Sequence, residues 1–271
     1  MVQQVDVLYK KRLASLRGKK IFFSDRDGTL VLDNKLLPEA NAFIERLTRE
    51  KKHFFVFTND SSKTPQQHFI NLKKSGLDIS LENVLVSSMV AIDYLKEKKY
   101  TSAYILANNE VTKYITDHGI RHTATDPDVI LLTFDNTITY EKLATAGKLI
   151  LKGTPYLATH PDHVYITKEH PLPDVGSFIE LLRVVTGKTP HKIFGKPNQT
   201  MLTSVLKKYD LQMEDAVIIG DRLYTDIKMA ENNGLTSILV LTGETTLEEY
   251  KKSEIKADIV IPTLEDLLPY I

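Results

Sequence analysis

Short apolar runs recur along the chain, and polar or acidic residues follow each one. The runs are Ile21–Ser24, His53–Thr58, Asn83–Ser87, Ala216–Gly220, Ser237–Leu241 and Asp258–Ile261. Runs this short, bounded by turn residues, predict buried strands. Between them apolar residues return at i, i+3, i+4 and i+7, as at Ala40, Phe43, Ile44 and Leu47, and at Leu202, Val205, Leu206 and Tyr209. That spacing places one apolar stripe on a helix. Thr64-Pro65 predicts a helix start, and Gly76 and Gly234 predict helix ends. Val5, Leu8, Leu13 and Leu16 predict a further helix ahead of the first strand. Strand and helix alternate, and the strands are apolar almost throughout. This implies an α/β fold with a parallel sheet covered on both faces. Ligands of such sheets bind at the carboxyl ends of the strands.

The middle of the chain has its own strands, Ser102–Leu106, Val129–Phe134 and Pro155–Thr159, and its own helices, Glu110–His118, Tyr140–Leu151 and Gly176–Thr186. It reads as a smaller α/β unit over residues 89–188, inserted into a core made of 1–88 and 189–271.

Composition narrows the chemistry. Lys and Arg number 35, as do Asp and Glu, so the net charge is zero. That argues against nucleic acid or an acidic membrane as the main partner. There is no Cys, which excludes disulfides, thiolate catalysis and Cys-based zinc sites. No stretch approaches the roughly 18 apolar residues of a membrane span, and residues 1–20 lack the apolar segment of a signal peptide. A cytoplasmic location is the expectation.

The polar residues behind the strands form a set. Asp25 and Asp27 follow the first run, Thr58 and Asn59 end the second, and Asp221 and Asp226 follow Gly220. Lys196 sits between Gly195 and Pro197. Residues i and i+2 of an extended chain share a face, so Asp25 and Asp27 are expected to face one site, with Arg26 turned to the other side. Two adjacent buried acids need an opposing charge, and a divalent cation supplies one. The residue types suit phosphoryl transfer, which needs a carboxylate nucleophile, an acid/base carboxyl, acids for Mg²⁺, and a cation and a hydroxyl for the phosphate oxygens.

Asp25-x-Asp27-Gly28-Thr29, Thr58-Asn59, Gly195-Lys196-Pro197 and Gly220-Asp221-x-x-x-x-Asp226 resemble, in order and spacing, the four motifs of the haloacid dehalogenase (HAD) superfamily. Thr58–Thr64, Ala158-Thr159-His160-Pro161-Asp162, Thr186–Pro190 and Leu241-Thr242-Gly243 are similar to its NagD-like, p-nitrophenylphosphatase branch. The resemblance implies a Rossmann-like core with an inserted α/β cap, and a Mg²⁺-dependent phosphatase of small phosphorylated metabolites working through a phospho-aspartyl intermediate. It implies Asp25 as nucleophile and Asp27 as general acid/base. Mg²⁺ would bind the Asp25 carboxylate, the Asp27 carbonyl and Asp221, with Asp226 behind them supporting the metal or Lys196. Thr58, the Asn59 backbone and Lys196 would hold phosphate. His160, Asp162 and the Asp174–Ser177 turn would face the substrate. Caps of this branch often pair, so a homodimer through the cap is a further expectation. Two positions depart from the branch, which usually has Asn in place of Asp60 and commonly Asn in place of His160. Asp60 is expected to add negative charge near the phosphate site. A metal site at His160–His163 is set aside, because zinc needs three or four ligands and no matching cluster is visible. The competing readings are a metal-independent dehalogenase and a non-catalytic phosphometabolite-binding protein. Asp27 and Asp221 count against the first, and the intact acid and lysine set against the second.

Overall fold

The computed structural model describes residues 2–32, 35–165 and 170–271, with the side chains of 2–8 outside that description. The chain folds as two units. One comprises Met1–Phe57, Phe69–Leu85 and Leu202–Ile271; the other comprises Thr58–His68 and Val86–Met201.

The first unit is built on a six-stranded sheet in the order Ile259–Ile261, Thr236–Val240, Ala216–Gly220, Ile21–Ser24, His53–Thr58, Val84–Val86. Ile21–Ser24 runs parallel to both of its neighbours, with Ile21 opposite Ala216 and His53. Ile21, Phe22 and Phe23 are all fully buried, as a strand covered on both faces requires. The helix Ala40–Arg49 turns Ala40, Phe43, Ile44 and Leu47 inward, the stripe that the spacing predicts. Phe43 meets Phe22 and Phe54 edge-on, with ring centroids 6.3 and 6.2 Å apart. The N-terminal helix is Val2–Ser15; Leu13 and Leu16 are buried, and the side chains of Val5 and Leu8 lie outside the described residues. The helix Pro65–Lys74 begins where Thr64-Pro65 predicts a start, and a reciprocal pair closes its first turn: the Gln67 N–H donates to Thr64 Oγ1 at 3.2 Å and the Thr64 N–H to Gln67 Oε1 at 2.9 Å. Gly234 ends the helix Lys228–Asn233 in the left-handed conformation, φ 73°.

The second unit holds a five-stranded sheet in the order Lys192–Ile193, Tyr156–Ala158, Val129–Leu132, Ser102–Leu106, Arg121–His122, with every adjacent pair parallel. Its core gathers Leu106, Ile130, Leu132, Tyr156, Phe178 and Leu182. The sequence pattern shows neither Arg121–His122 nor Lys192–Ile193, since two residues carry no periodicity. Lys192–Ile193 pairs with Leu157–Ala158, although residues 189–271 read as core from the sequence. Among the described residues, no helix is long and apolar enough to cross a membrane.

Phe43→Ala is expected to cost the first unit roughly 3–5 kcal/mol, read as a lower urea midpoint, because the space between Phe22 and Phe54 cannot fully collapse.

Candidate active site

Asp25 and Asp221 emerge side by side because their strands run parallel and end level. Ser24 lies opposite Ile219, and the Asp25 N–H donates to the Ile219 carbonyl at 2.8 Å. Asp226 follows in the widened helical turn Leu223–Ile227. The three carboxylates are 7, 2 and 0 % exposed, and one oxygen of each lies within 4.8 Å of the others. Like charges so close and so buried oppose each other's ionisation. Burial first, then Asp25 and Asp226, hold the Asp221 carboxyl well above its usual range. Asp221 Oδ2 accepts the Glu244 N–H at 2.6 Å, while Oδ1 is buried with no hydrogen-bond partner. A buried, all-oxygen set with one unsatisfied carboxylate oxygen suits a hard divalent cation such as Mg²⁺.

Arg222 supplies positive charge beside this group. Burial works against its charge, but Asp25, Tyr224, Asp221 and Glu244 outweigh that and raise its pKa; its Nε lies 2.9 Å from Glu244 Oε2. The sequence pattern gives Arg222 no role. Its only signal is a position one residue after Asp221.

Gly28 is required here twice over. Its φ is +78°, and a Cβ would collide with Asp221 Oδ2. Asp27 does not join the carboxylate group. Its carboxylate accepts from Arg26 Nη1 at 2.7 and 2.8 Å. Arg26 therefore does not turn to the opposite face, as strict alternation predicts. The strand ends at Ser24, and the chain bends before Arg26.

The second unit repeats the device. The strands Tyr156–Ala158 and Lys192–Ile193 pair, and the Gly195 N–H donates to the Thr159 carbonyl at 2.6 Å. His160 and Lys196 thus leave neighbouring strand ends. Lys196, Thr58 and Asn59 are 2, 3 and 5 % exposed. Thr58 Oγ1 accepts the Asp60 N–H at 3.1 Å. Asp60 carries its charge in a closed network: Oδ1 accepts from the Ser62 N–H and hydroxyl, and Oδ2 from Lys63 Nζ at 2.8 Å. Burial alone would raise its pKa, but His68, Lys63 and the Ser62 hydrogen bond pull it below the usual carboxylate range. The expected extra negative charge is present, and Lys63 balances it.

His160 is fully buried between two buried acids. Nδ1 lies 3.6 Å from Asp162 Oδ2 and Nε2 lies 3.6 Å from Asp174 Oδ1. Asp174 caps the helix Val175–Thr186 by accepting the Val175 N–H at 2.6 Å. One oxygen or nitrogen from each of the three residues lies within 4.8 Å of the others. Both ring nitrogens are buried without a hydrogen-bond partner, since 3.6 Å is too long for one. The fold thus brings together a three-residue group of metal-ligating types around His160, where the sequence shows no matching cluster. Burial pushes the Asp174 carboxyl up to about 6 against the pull of His160.

Comparison with known proteins agrees with this geometry. Residues 22–121 match the family model described as haloacid dehalogenase-like hydrolase, and residues 193–267 match one described as HAD-hydrolase-like. The chain is 33 % identical over 247 residues to dihydroxyacetone phosphatase of Corynebacterium glutamicum, covering 91 % of this chain and 90 % of that one. The chain belongs to the haloacid dehalogenase-like hydrolase family. An acid sugar phosphatase of Staphylococcus haemolyticus is 33 % identical, with coverage of 88 and 91 %. The crystal structure of a 4-nitrophenylphosphatase from Thermotoga maritima superposes with a TM-score of 0.91 at 38 % identity, covering 94 % of this chain and 98 % of that one.

A carboxyl whose folded pKa is raised to about 6 weakens the fold as pH climbs from its unfolded value, near 4, through 6. The loss then persists at higher pH. Asp174→Asn keeps a capping side chain and removes that effect. With Mg²⁺ present, the variant is expected to lose about 2 kcal/mol less stability than the wild type between pH 4.5 and pH 7, measured by urea unfolding.

Proposed function

We propose that this phosphoric monoester hydrolase acts on small phosphorylated metabolites, with Mg²⁺ and through a phospho-aspartyl intermediate on Asp25. The observation that carries the proposal is the buried Asp25, Asp221 and Asp226 group with its unsatisfied Asp221 oxygen. Asp25, Asp221 and the Asp27 carbonyl would hold the ion, with Asp226 behind them. When bound, it would neutralise charge on the phosphoryl oxygens and on the acids around it.

The chain's own groups divide the work. An Asp25 carboxylate oxygen attacks phosphorus, forming the P–O bond of the acyl phosphate. The ester P–O bond breaks, and Asp27 gives its proton to the departing alcohol oxygen. Asp27 then takes a proton from water, whose oxygen attacks the same phosphorus. Inorganic phosphate leaves and the Asp25 carboxylate returns. Thr58, the Asn59 N–H and Lys196 orient and neutralise the non-bridging oxygens. Lys196 supplies the fixed positive charge that phosphoryl transfer needs. Arg26, which grips the Asp27 carboxylate, must release it whenever Asp27 carries a proton.

The names of the relatives, dihydroxyacetone phosphatase and acid sugar phosphatase, support a short hydroxylated substrate in place of a polymer. We place the enzyme in the cytoplasm, acting on free metabolites and not on nucleic acid or membrane, and propose that residues 89–188 form the cap through which two copies pair.

Asp25→Asn is expected to lower phosphate release from p-nitrophenyl phosphate by about 10⁴-fold or more with the fold intact. Retention of a tenth of the activity would sink the nucleophile assignment. Mg²⁺ is expected to raise the melting temperature more at pH 8 than at pH 5. The raised Asp221 pKa makes the metal-free fold less stable as pH rises, and the ion competes with the proton that relieves it at low pH. EDTA should abolish turnover; phosphate release that survives EDTA would overturn the Mg²⁺ assignment.

A further inference from the structure

The Asn59 side chain does more than occupy space. Its Oδ1 accepts the Lys196 N–H at 2.8 Å, and its Nδ2 donates to the Lys196 carbonyl at 3.1 Å. The same Nδ2 donates to both carboxylate oxygens of Asp162 at 3.2 Å. One amide thus holds the two main-chain groups of Lys196 and a buried acid in the loop that follows the Tyr156–Ala158 strand. Only one orientation satisfies this set, since a flipped amide would set donor against donor at the Lys196 N–H and acceptor against acceptor at its carbonyl and at Asp162. The Asn59 backbone is itself pinned, because Ser87 Oγ donates to its carbonyl at 2.9 Å. Gly195 is what lets the amide approach: a Cβ there would collide with Asn59 Oδ1.

We propose that the Asn59 side chain is a positioning residue that sets the place of the Lys196 ammonium by clamping the Lys196 backbone to Asp162. The inference rests on the phosphatase reading for the role of Lys196 and assigns Asn59 a task separate from the phosphate contact of its own N–H. Asp162 in turn faces His160, and His160 faces Asp174, so the clamp ties the phosphate-binding lysine to the loop expected to meet the rest of the substrate. A shift of that loop reaches Lys196 through the Asn59 side chain as well as through the Gly195–Thr159 backbone bond.

The test is a double-mutant cycle read by calorimetry with inorganic phosphate in the presence of Mg²⁺, using wild type, Asn59→Ala, Lys196→Ala and the double variant. Asn59→Ala keeps its backbone N–H and Lys196→Ala keeps its main chain. Loss of the clamp is expected to weaken phosphate binding roughly tenfold. With the Lys196 side chain gone, the Asn59 substitution is expected to cost nothing further. Asp162→Asn, which keeps size and one acceptor, is expected to give a smaller loss and serves if Asn59→Ala fails to fold by circular dichroism. Losses that multiply in the double variant would show general loosening and overturn the proposal. So would wild-type affinity in both Asn59→Ala and Asp162→Asn, or a wild-type protein that binds no phosphate. Phosphate binding without turnover of any ester would instead count against the phosphatase reading and leave the cycle interpretable.

Discussion

Three carboxylates buried within 4.8 Å of one another destabilise any fold that holds them, and the rest of the first unit is arranged to bear that cost. Asp25 cannot retreat, because its N–H is bound to the Ile219 carbonyl of the neighbouring strand. Asp221 cannot retreat either, because the Glu244 N–H and the Gly28 backbone close in on its carboxylate. The strands behind these acids are apolar and fully buried, and their ladders supply the rigidity. A positive charge has to balance the group. Arg222 provides part of it, and one Asp221 oxygen stays buried without a hydrogen-bond partner.

The same logic of level, parallel strand ends operates in the second unit with a different result. Tyr156–Ala158 and Lys192–Ile193 bring a histidine and a lysine to adjacent positions instead of two acids. Parallel neighbours place residues of equal register on the same edge whatever those residues are. The sheet therefore specifies where chemistry occurs, and the one or two residues past each strand specify which chemistry.

This explains how far the sequence can be read. Strands of four or more residues that are mostly apolar, such as Ile21–Ser24 and Ala216–Gly220, announce themselves, and so do the acids that follow them. The helix Ala40–Arg49 is legible for the same reason, since ten residues hold a full stripe. Lys192–Ile193 is invisible because two residues show no period and its pairing is decided by a distant partner. Arg26 departs from its expected side because alternation holds only while the backbone stays extended, and the strand stops at Ser24. Arg222 matters through charge alone, and charge leaves no periodic mark. Asp174 caps a helix in the fold, and its neighbour His160 arrives from another loop, so their meeting leaves no mark in the sequence.

Asn59 and Asp60 show how finely residue type is chosen once geometry is given. The two side chains have nearly the same shape and stand next to each other, yet they cannot be exchanged. Asn59 must accept one N–H and donate to a carbonyl and a carboxylate, so it has to be an amide. Asp60 only accepts, from Ser62 and from Lys63, and the lysine makes a carboxylate worth more there than an amide. An aspartate at 59 would set a second negative charge against Asp162. An asparagine at 60 would take from Lys63 the carboxylate that balances it. The charge that Asp60 adds where the related branch usually has asparagine is therefore balanced by Lys63 within the same loop.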